Sequence, residues 1–157
     1  MTTERDFRYI VDDVYAVDSL KVKVPLKEGA IVAQGKFKII TPPVDNTSNG
    51  MQAMAVAPVD KNGNVDYSHV VIAYAGTNKD DLLDIQTDIQ SIGFGDRQVL
   101  SDLKTKTFRK SQFQTALSFA EEIEKTYPSA KITTAGHSLG ESLAMYVALK
   151  RGYANVG

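Results

Sequence analysis

The sequence predicts an α/β fold in which a mostly parallel sheet is flanked by helices. Residues 70–75 form an almost continuous apolar run, which is typical of a central strand buried on both faces. A long amphipathic helix and a second β-rich run at 131–135 come later in the chain. Another helical pattern at 139–150 completes the order strand, helix, strand, helix. This order favours parallel strands joined by right-handed crossovers.

The first third of the chain supplies smaller elements. Thr3 can cap a helix, because the apolar residues that follow it recur at helical spacing. A strand is expected at 36–40. Two more strands, at 52–59 and 67–75, flank an Asn-Gly pair, which predicts a β-hairpin.

Two helices are expected between the hairpin and the second β-rich run. The first begins at Asp80 or Asp81 and ends near residues 92–95, and a loop is expected from there to Phe108. The second begins at the capping-box pattern of Ser111 and Gln114. Pro128 ends it after residue 127.

Composition excludes several classes of protein. Of 157 residues, 43% are hydrophobic and 24% are charged, which is typical of a globular domain. The net charge of −1 gives no reason to expect a nucleic-acid partner. No apolar run is long enough to span a bilayer, and without cysteine neither disulfides nor cysteine–zinc sites can form. No cofactor is expected, and leaderless secretion and a cytoplasmic location both stay open.

The most informative segment is Gly136-His137-Ser138-Leu139-Gly140, between a predicted strand and a predicted helix. This is the pattern of a nucleophile elbow, in which a sharp turn presents the serine hydroxyl at the edge of a sheet. Residues two before and two after the serine must then lack side chains. The pattern predicts Ser138 as a catalytic nucleophile.

The partners that such a serine needs are missing from this stretch. In this architecture the acid and then the histidine follow the serine, yet no Asp or His follows Ser138. His69 begins a strand, which places it roughly 20 Å or more from the end where the elbow emerges. His137 lies within the tight turn, where neighbouring side chains diverge. We therefore expect the acid and the histidine beyond this chain.

Two acidic patterns are interpreted as structural. Asp60 begins a run that is similar to a calcium loop, but Val65 and Val71 stand where that loop needs Gly and Glu. Asp84 and Asp88 lie four residues apart on a predicted helix, and we expect them to face solvent or one of them to anchor a neighbouring loop. The sequence predicts no metal site.

The runs 70–77, 84–88 and 130–140, in this order, resemble the class 3 lipases, which are α/β-hydrolases. The resemblance implies a triad serine at Ser138 and an oxyanion hole built from Thr77 and the backbone N–H of Leu139. It also implies that residues 1–157 form the N-terminal part of one hydrolase domain that acts on acyl lipid esters. Glu141 and Ala75 depart from the family pattern without touching the attacking atom.

Several expectations follow for the chain as it stands. It should be nearly inactive alone, and strand 131–135 should need a neighbour from a missing C-terminal half or from a partner chain. Two alternatives stay open. The elbow followed by Glu141 also resembles acyl-carrier-protein transacylases, and a hydrolase-derived binding module without activity would fit the missing triad partners.

Overall fold

The computed structural model describes residues 3–17, 25–46, 51–75, 99–137 and 139–156, with the backbone alone for 99–111. Within these ranges seven strands form one sheet. The strands are β1 (Ile31–Val32), β2 (Phe37–Ile39), β3 (Val44–Asn46), β4 (Met51–Pro58), β5 (His69–Ala75), β6 (Lys131–Gly136) and β7 (Ala154–Val156). Their order is β1-β2-β4-β5-β6-β7, and β3 also pairs with β4.

The sheet is mixed, so the expectation of a mostly parallel sheet is wrong for the described strands. The pairs β1–β2, β2–β4, β3–β4 and β4–β5 are antiparallel, whereas β5–β6 and β6–β7 are parallel. The connections explain the difference. Residues 33–36 join β1 to β2 and residues 59–68 join β4 to β5, and these connections give antiparallel neighbours, because a parallel pair needs a crossover of about a dozen residues or more. The predicted hairpin is confirmed as β4–β5, and the parallel order is confirmed from β5 onward.

The expectation that β6 lacks a neighbour in this chain is also wrong. Gly152 ends the last helix with a positive φ of 76°, and the chain then turns back along the sheet. Residues 154–156 form β7, in which Ala154 pairs with Thr133 and Val156 pairs with Ala135. Among the described strands, β7 is therefore the outermost on this side of the sheet.

The described helices are α1 (Glu4–Asp13), α2 (Val99–Thr126) and α3 (Leu139–Arg151), and a 3₁₀ helix at Val14–Val17 continues α1. The predicted cap of α1 is confirmed. The Thr3 hydroxyl accepts the N–H of Asp6 at 3.2 Å, and the Asp6 carboxylate accepts the N–H of Thr3 at 2.9 Å. None of the helices in the described ranges is long and apolar enough to cross a membrane.

The start predicted for α2 is wrong. The helix spans Val99–Thr126, so Ser111 and Gln114 lie inside it and residues 99–107 are helical rather than part of a loop. A capping box is a local pattern. It marks the N-terminus of a helix only where the residues before it are not themselves helical. Residues 99–110 contain neither Gly nor Pro, so nothing in their backbone interrupts the helix. The end before Pro128 is confirmed.

Helices cover both faces of the sheet. The apolar residues of β4 and β5 alternate, with successive side chains on opposite faces. Met54 and Val71 pack with α1, the 3₁₀ helix and β2, whereas Ala55 and Ile72 pack with α2 and α3. The protein is therefore a three-layer α/β structure whose two cores share the central strands.

Candidate active site

The candidate nucleophile lies between β6 and α3. β6 ends at Gly136 and α3 begins at Leu139, so only His137 and Ser138 separate the strand from the helix. Ser138 and Thr77 lie outside the described residues, whereas the residues on either side of the serine are described. The predicted order of strand, turn and helix around position 138 is confirmed.

Two glycines allow this turn to pack without side chains. A Cβ atom on Gly136 would collide with the backbone of Gly140 and would lie 2.6 Å from the amide nitrogen of Glu141. A Cβ atom on Gly140 would collide with the carbonyl oxygen of Tyr74 and would lie 2.9 Å from its carbonyl carbon. Neither glycine has a positive φ. Glycine is therefore required here for its small volume, and α3 starts in direct contact with the end of β5.

The first turn of α3 brings backbone donors to this edge. Leu139 is the first helical residue and is 7% exposed. The N–H groups of a helix's first turn have no partner within the helix, and they carry the positive end of its dipole. The N–H of Gly140 donates to the carbonyl oxygen of His137 at 3.0 Å. Leu139, as the first residue of α3, belongs to this first turn, whose N–H groups point away from the helix towards the end of β6.

The end of β5 lies at the same edge of the sheet. Tyr74 pairs with Gly136 in the parallel register, so β5 and β6 end side by side. The buried Tyr74 hydroxyl donates to the carbonyl oxygen of Ala116 at 2.9 Å and ties β5 to α2. Burial raises the pKa of Tyr74, with a smaller contribution from Tyr153, so this hydroxyl stays protonated. Thr77 follows the end of β5 by two residues in the sequence.

The two histidines of the sequence lie at opposite ends of the parallel strands. His69 pairs with Lys131 at the opposite end of the parallel register, five residues before Tyr74. That separation corresponds to roughly 17 Å along the strand, and it confirms that His69 lies at the end of the strand opposite the elbow. His137 is exposed within the turn itself. The helix that the sequence predicts after Thr77, with Asp84 and Asp88, lies outside the described residues.

A cavity opens beside the elbow on the side of α1. Its volume is about 390 Å³, which falls in the range of small-molecule sites. Gly136 and His137 line it together with Glu4, Phe7, Arg8, Val11, Asp12 and Val156. A larger cavity of about 680 Å³ lies at the other end of the strands, around His69 and Lys131. Of these two cavities, the smaller one is lined by described residues of the elbow.

A polar cluster joins β6, β7 and α3 behind the elbow. The buried Thr134 hydroxyl lies 2.9 Å from the carbonyl oxygen of Ala144 and 2.8 Å from Oδ1 of Asn155. The Asn155 amide donates to Oε1 of Glu141 at 2.6 Å, whereas Oε2 of Glu141 is buried without a hydrogen-bond partner. Glu141 thus holds β7 against the first turn of α3.

The acidic groups of the described residues do not form a metal site. No group of three or more His, Cys, Asp or Glu side chains within the described ranges could hold an ion. The carboxylate that begins the calcium-like run, that of Asp60, accepts the backbone N–H groups of Asn62 and Asn64 and the Asn64 side-chain amide. Its oxygens are used by the hairpin turn.

Neither a protein-family model nor a curated protein matches the sequence. Two solved structures do share its fold: a mutant form of MDLA from Penicillium cyclopium and a fungal lipase. Each has a TM-score of 0.51 and 16% identity, over 93% of this chain. The fold is lipase-like. The chain matches 56% of the length of each of these proteins.

Proposed function

We propose that the protein is a serine ester hydrolase, of the lipase or phospholipase kind, that acts on acyl lipid esters. Ser138 is the nucleophile, and the oxyanion is bound by the backbone N–H of Leu139 and by Thr77. One observation carries the proposal: the close packing of Gly140 on the carbonyl of Tyr74 brings the first turn of α3 to the edge where β5 ends. The lipase-like fold supports it.

The chemistry follows from this arrangement. The Ser138 hydroxyl oxygen attacks the ester carbonyl as its proton passes to a general base, and the carbonyl oxygen becomes an oxyanion. The tetrahedral intermediate collapses, the alcohol leaves with a proton, and water then releases the acid from the acyl-enzyme. Losing one of two oxyanion donors typically costs about 2.7–4 kcal/mol of transition-state stabilisation.

The general base is proposed to come from outside these 157 residues, or from a second chain, together with the acid that orients it. His69 is too distant, and no histidine follows Ser138. The proposal therefore predicts that the 157-residue chain alone hydrolyses esters very slowly.

Chemical rescue tests this function. Hydrolysis of a short-chain p-nitrophenyl ester is measured for the wild-type chain and for Ser138→Ala, with and without imidazole as a replacement base. Without imidazole, we expect the wild-type chain and Ser138→Ala to hydrolyse the ester at the same rate. With imidazole, and after the rate of imidazole alone is subtracted, the wild-type chain should be faster. Equal rates in imidazole contradict Ser138 as the nucleophile and favour a binding module. Fast wild-type turnover without imidazole contradicts the missing base.

The molecule that accepts the acyl group, water or a thiol, distinguishes hydrolysis from acyl transfer. Adding a pantetheine thiol to the rescued reaction should leave the free acid as the main product. A thioester as the main product would favour the transacylase alternative.

A further inference from the structure

The N-terminal segment contacts the turn that contains Ser138. The hydroxyl of Tyr15, in the 3₁₀ helix that continues α1, donates to the carbonyl oxygen of His137 at 3.3 Å. The two residues lie 122 positions apart in the sequence. No other part of the proposed mechanism uses this phenol.

Packing holds Tyr15 at the edge of the sheet. Val14 and Val17, on either side of it in the 3₁₀ helix, are 0% and 2% exposed. Tyr15 itself packs against the cluster that contains Ala75 and Ala135, near the ends of β5 and β6. The phenol therefore lies where the two strands that lead to Thr77 and Ser138 end.

The phenol remains a donor at neutral pH. Burial, and to a smaller extent the nearby Asp12 carboxylate, raises the pKa of Tyr15 above that of a free tyrosine. The carbonyl oxygen of His137 accepts a second bond, from the N–H of Gly140, at 3.0 Å. Two donors from different parts of the chain thus converge on one carbonyl oxygen.

We propose that Tyr15 is a positioning residue for the nucleophile, through its bond to the carbonyl oxygen of His137. The peptide group that joins residues 137 and 138 is planar, so a bond that fixes the oxygen of His137 also fixes the orientation of the N–H of Ser138. Tyr15 thereby limits rotation of the turn that presents the serine. The catalytic part of this inference rests on the proposed function, whereas the structural part does not.

Amide hydrogen exchange of Tyr15→Phe tests the structural part. The change removes one oxygen and keeps the ring. Tyr9→Phe, on α1 and packed against the same cluster, is the matched control. A hydrogen bond of ordinary net strength corresponds to faster exchange at residues 137–140 by between about twofold and tenfold. Exchange in β5 of the same variant is the internal reference for overall stability.

The outcomes separate the possibilities. Faster exchange confined to 137–140 in Tyr15→Phe, with Tyr9→Phe unchanged, supports the positioning role. Unchanged exchange at 137–140 overturns it. Equal loss of protection at 137–140 and in β5 shows that Tyr15 contributes only to the overall stability of the core. This result also overturns the positioning role.

Kinetics in the imidazole-rescued reaction test the catalytic part. Tyr15→Phe should lower the serine-dependent kcat by about twofold to tenfold and leave KM unchanged, because the bond orients the serine without contacting substrate. An unchanged kcat overturns a catalytic role for Tyr15. If the wild-type chain shows no serine-dependent rate, the proposed function fails, and the exchange experiment still decides whether Tyr15 positions the elbow.

Discussion

Two turns of this molecule use glycine for opposite reasons. In the hairpin turn, Gly63 has a φ of 84°, and a Cβ atom there would meet nothing within 4 Å. At the elbow, Gly136 and Gly140 have no positive φ, but a Cβ atom on either would collide with backbone. The first glycine supplies conformational freedom, and the other two supply space.

The two turns also differ in how their polar groups are held. In the hairpin, the Asp60 carboxylate binds the N–H groups of its own turn, so the turn satisfies itself. At the elbow, the N–H of Gly140 donates to the carbonyl oxygen of His137, and tight packing places this first turn of α3 against the end of β5. The comparison teaches that local hydrogen bonds and a positive φ determine the hairpin turn, whereas the elbow depends on close backbone packing of Gly136 and Gly140.

The largest effect should come from adding a methyl group at the elbow. Gly140→Ala forces α3 away from the carbonyl of Tyr74, so we expect a loss of about 3 kcal/mol in the free energy of unfolding. Gly63→Ala should cost only about 1–2 kcal/mol, because its strain is limited to one backbone conformation. Urea unfolding of both variants measures the difference. Equal losses would contradict the distinction between space and conformational freedom.

A smaller effect is expected behind the elbow. Thr134→Val removes a buried hydroxyl that bonds to the backbone carbonyl oxygen of Ala144 and to Oδ1 of Asn155. The change should lower the free energy of unfolding by about 1–2 kcal/mol. Thr126→Val is the matched control, since the Thr126 hydroxyl also binds a helix carbonyl, that of Glu122, but at an exposed position. The control should change the free energy of unfolding by less than about 0.5 kcal/mol. Similar losses for the two would show that the polar cluster has no special role.

The smallest expected effect is on the pH dependence of stability, through the hairpin turn. The backbone N–H of Asn64 is the main cause that lowers the pKa of Asp60, and further bonds from Asn62 and Asn64 add to it. A carboxyl whose pKa is lower in the folded state stabilises the protein above its ordinary pKa, and this stabilisation is lost as the pH falls. Between pH 6 and pH 2.5, the wild type should therefore lose slightly more stability than Asp60→Asn. Parallel pH profiles in urea unfolding would contradict this.

The sequence predicts the parts of the fold that depend on local signals. The structure confirms the cap at Thr3, the Asn-Gly hairpin and the need for glycine at the elbow, and each of these depends on particular residues within a few positions. The start of α2 could not be predicted in this way. There a local capping pattern competes with the helical tendency of the preceding residues, and the preceding residues prevail.

The features that the sequence does not predict depend on contacts between residues that are far apart in the chain. The bond from Tyr15 to His137 spans 122 positions, and β7 pairs with β6 only after α3 has brought it back along the sheet. A short strand such as Ala154–Val156 has no periodicity to detect, so the sequence left the edge of β6 open. Asn155 likewise contacts Glu141 only in the folded chain.

The central claim is that the N–H groups of Thr77 and Leu139 share one oxyanion site beside Ser138. Titration of the isotope-labelled protein with a soluble alkyl phosphonate, a mimic of the tetrahedral intermediate, tests it by the NMR shifts of these two amides. We predict that both shift with the same dissociation constant, because both donors would contact one oxygen at about 3 Å. A shift of only one amide, or of neither, would contradict the claim.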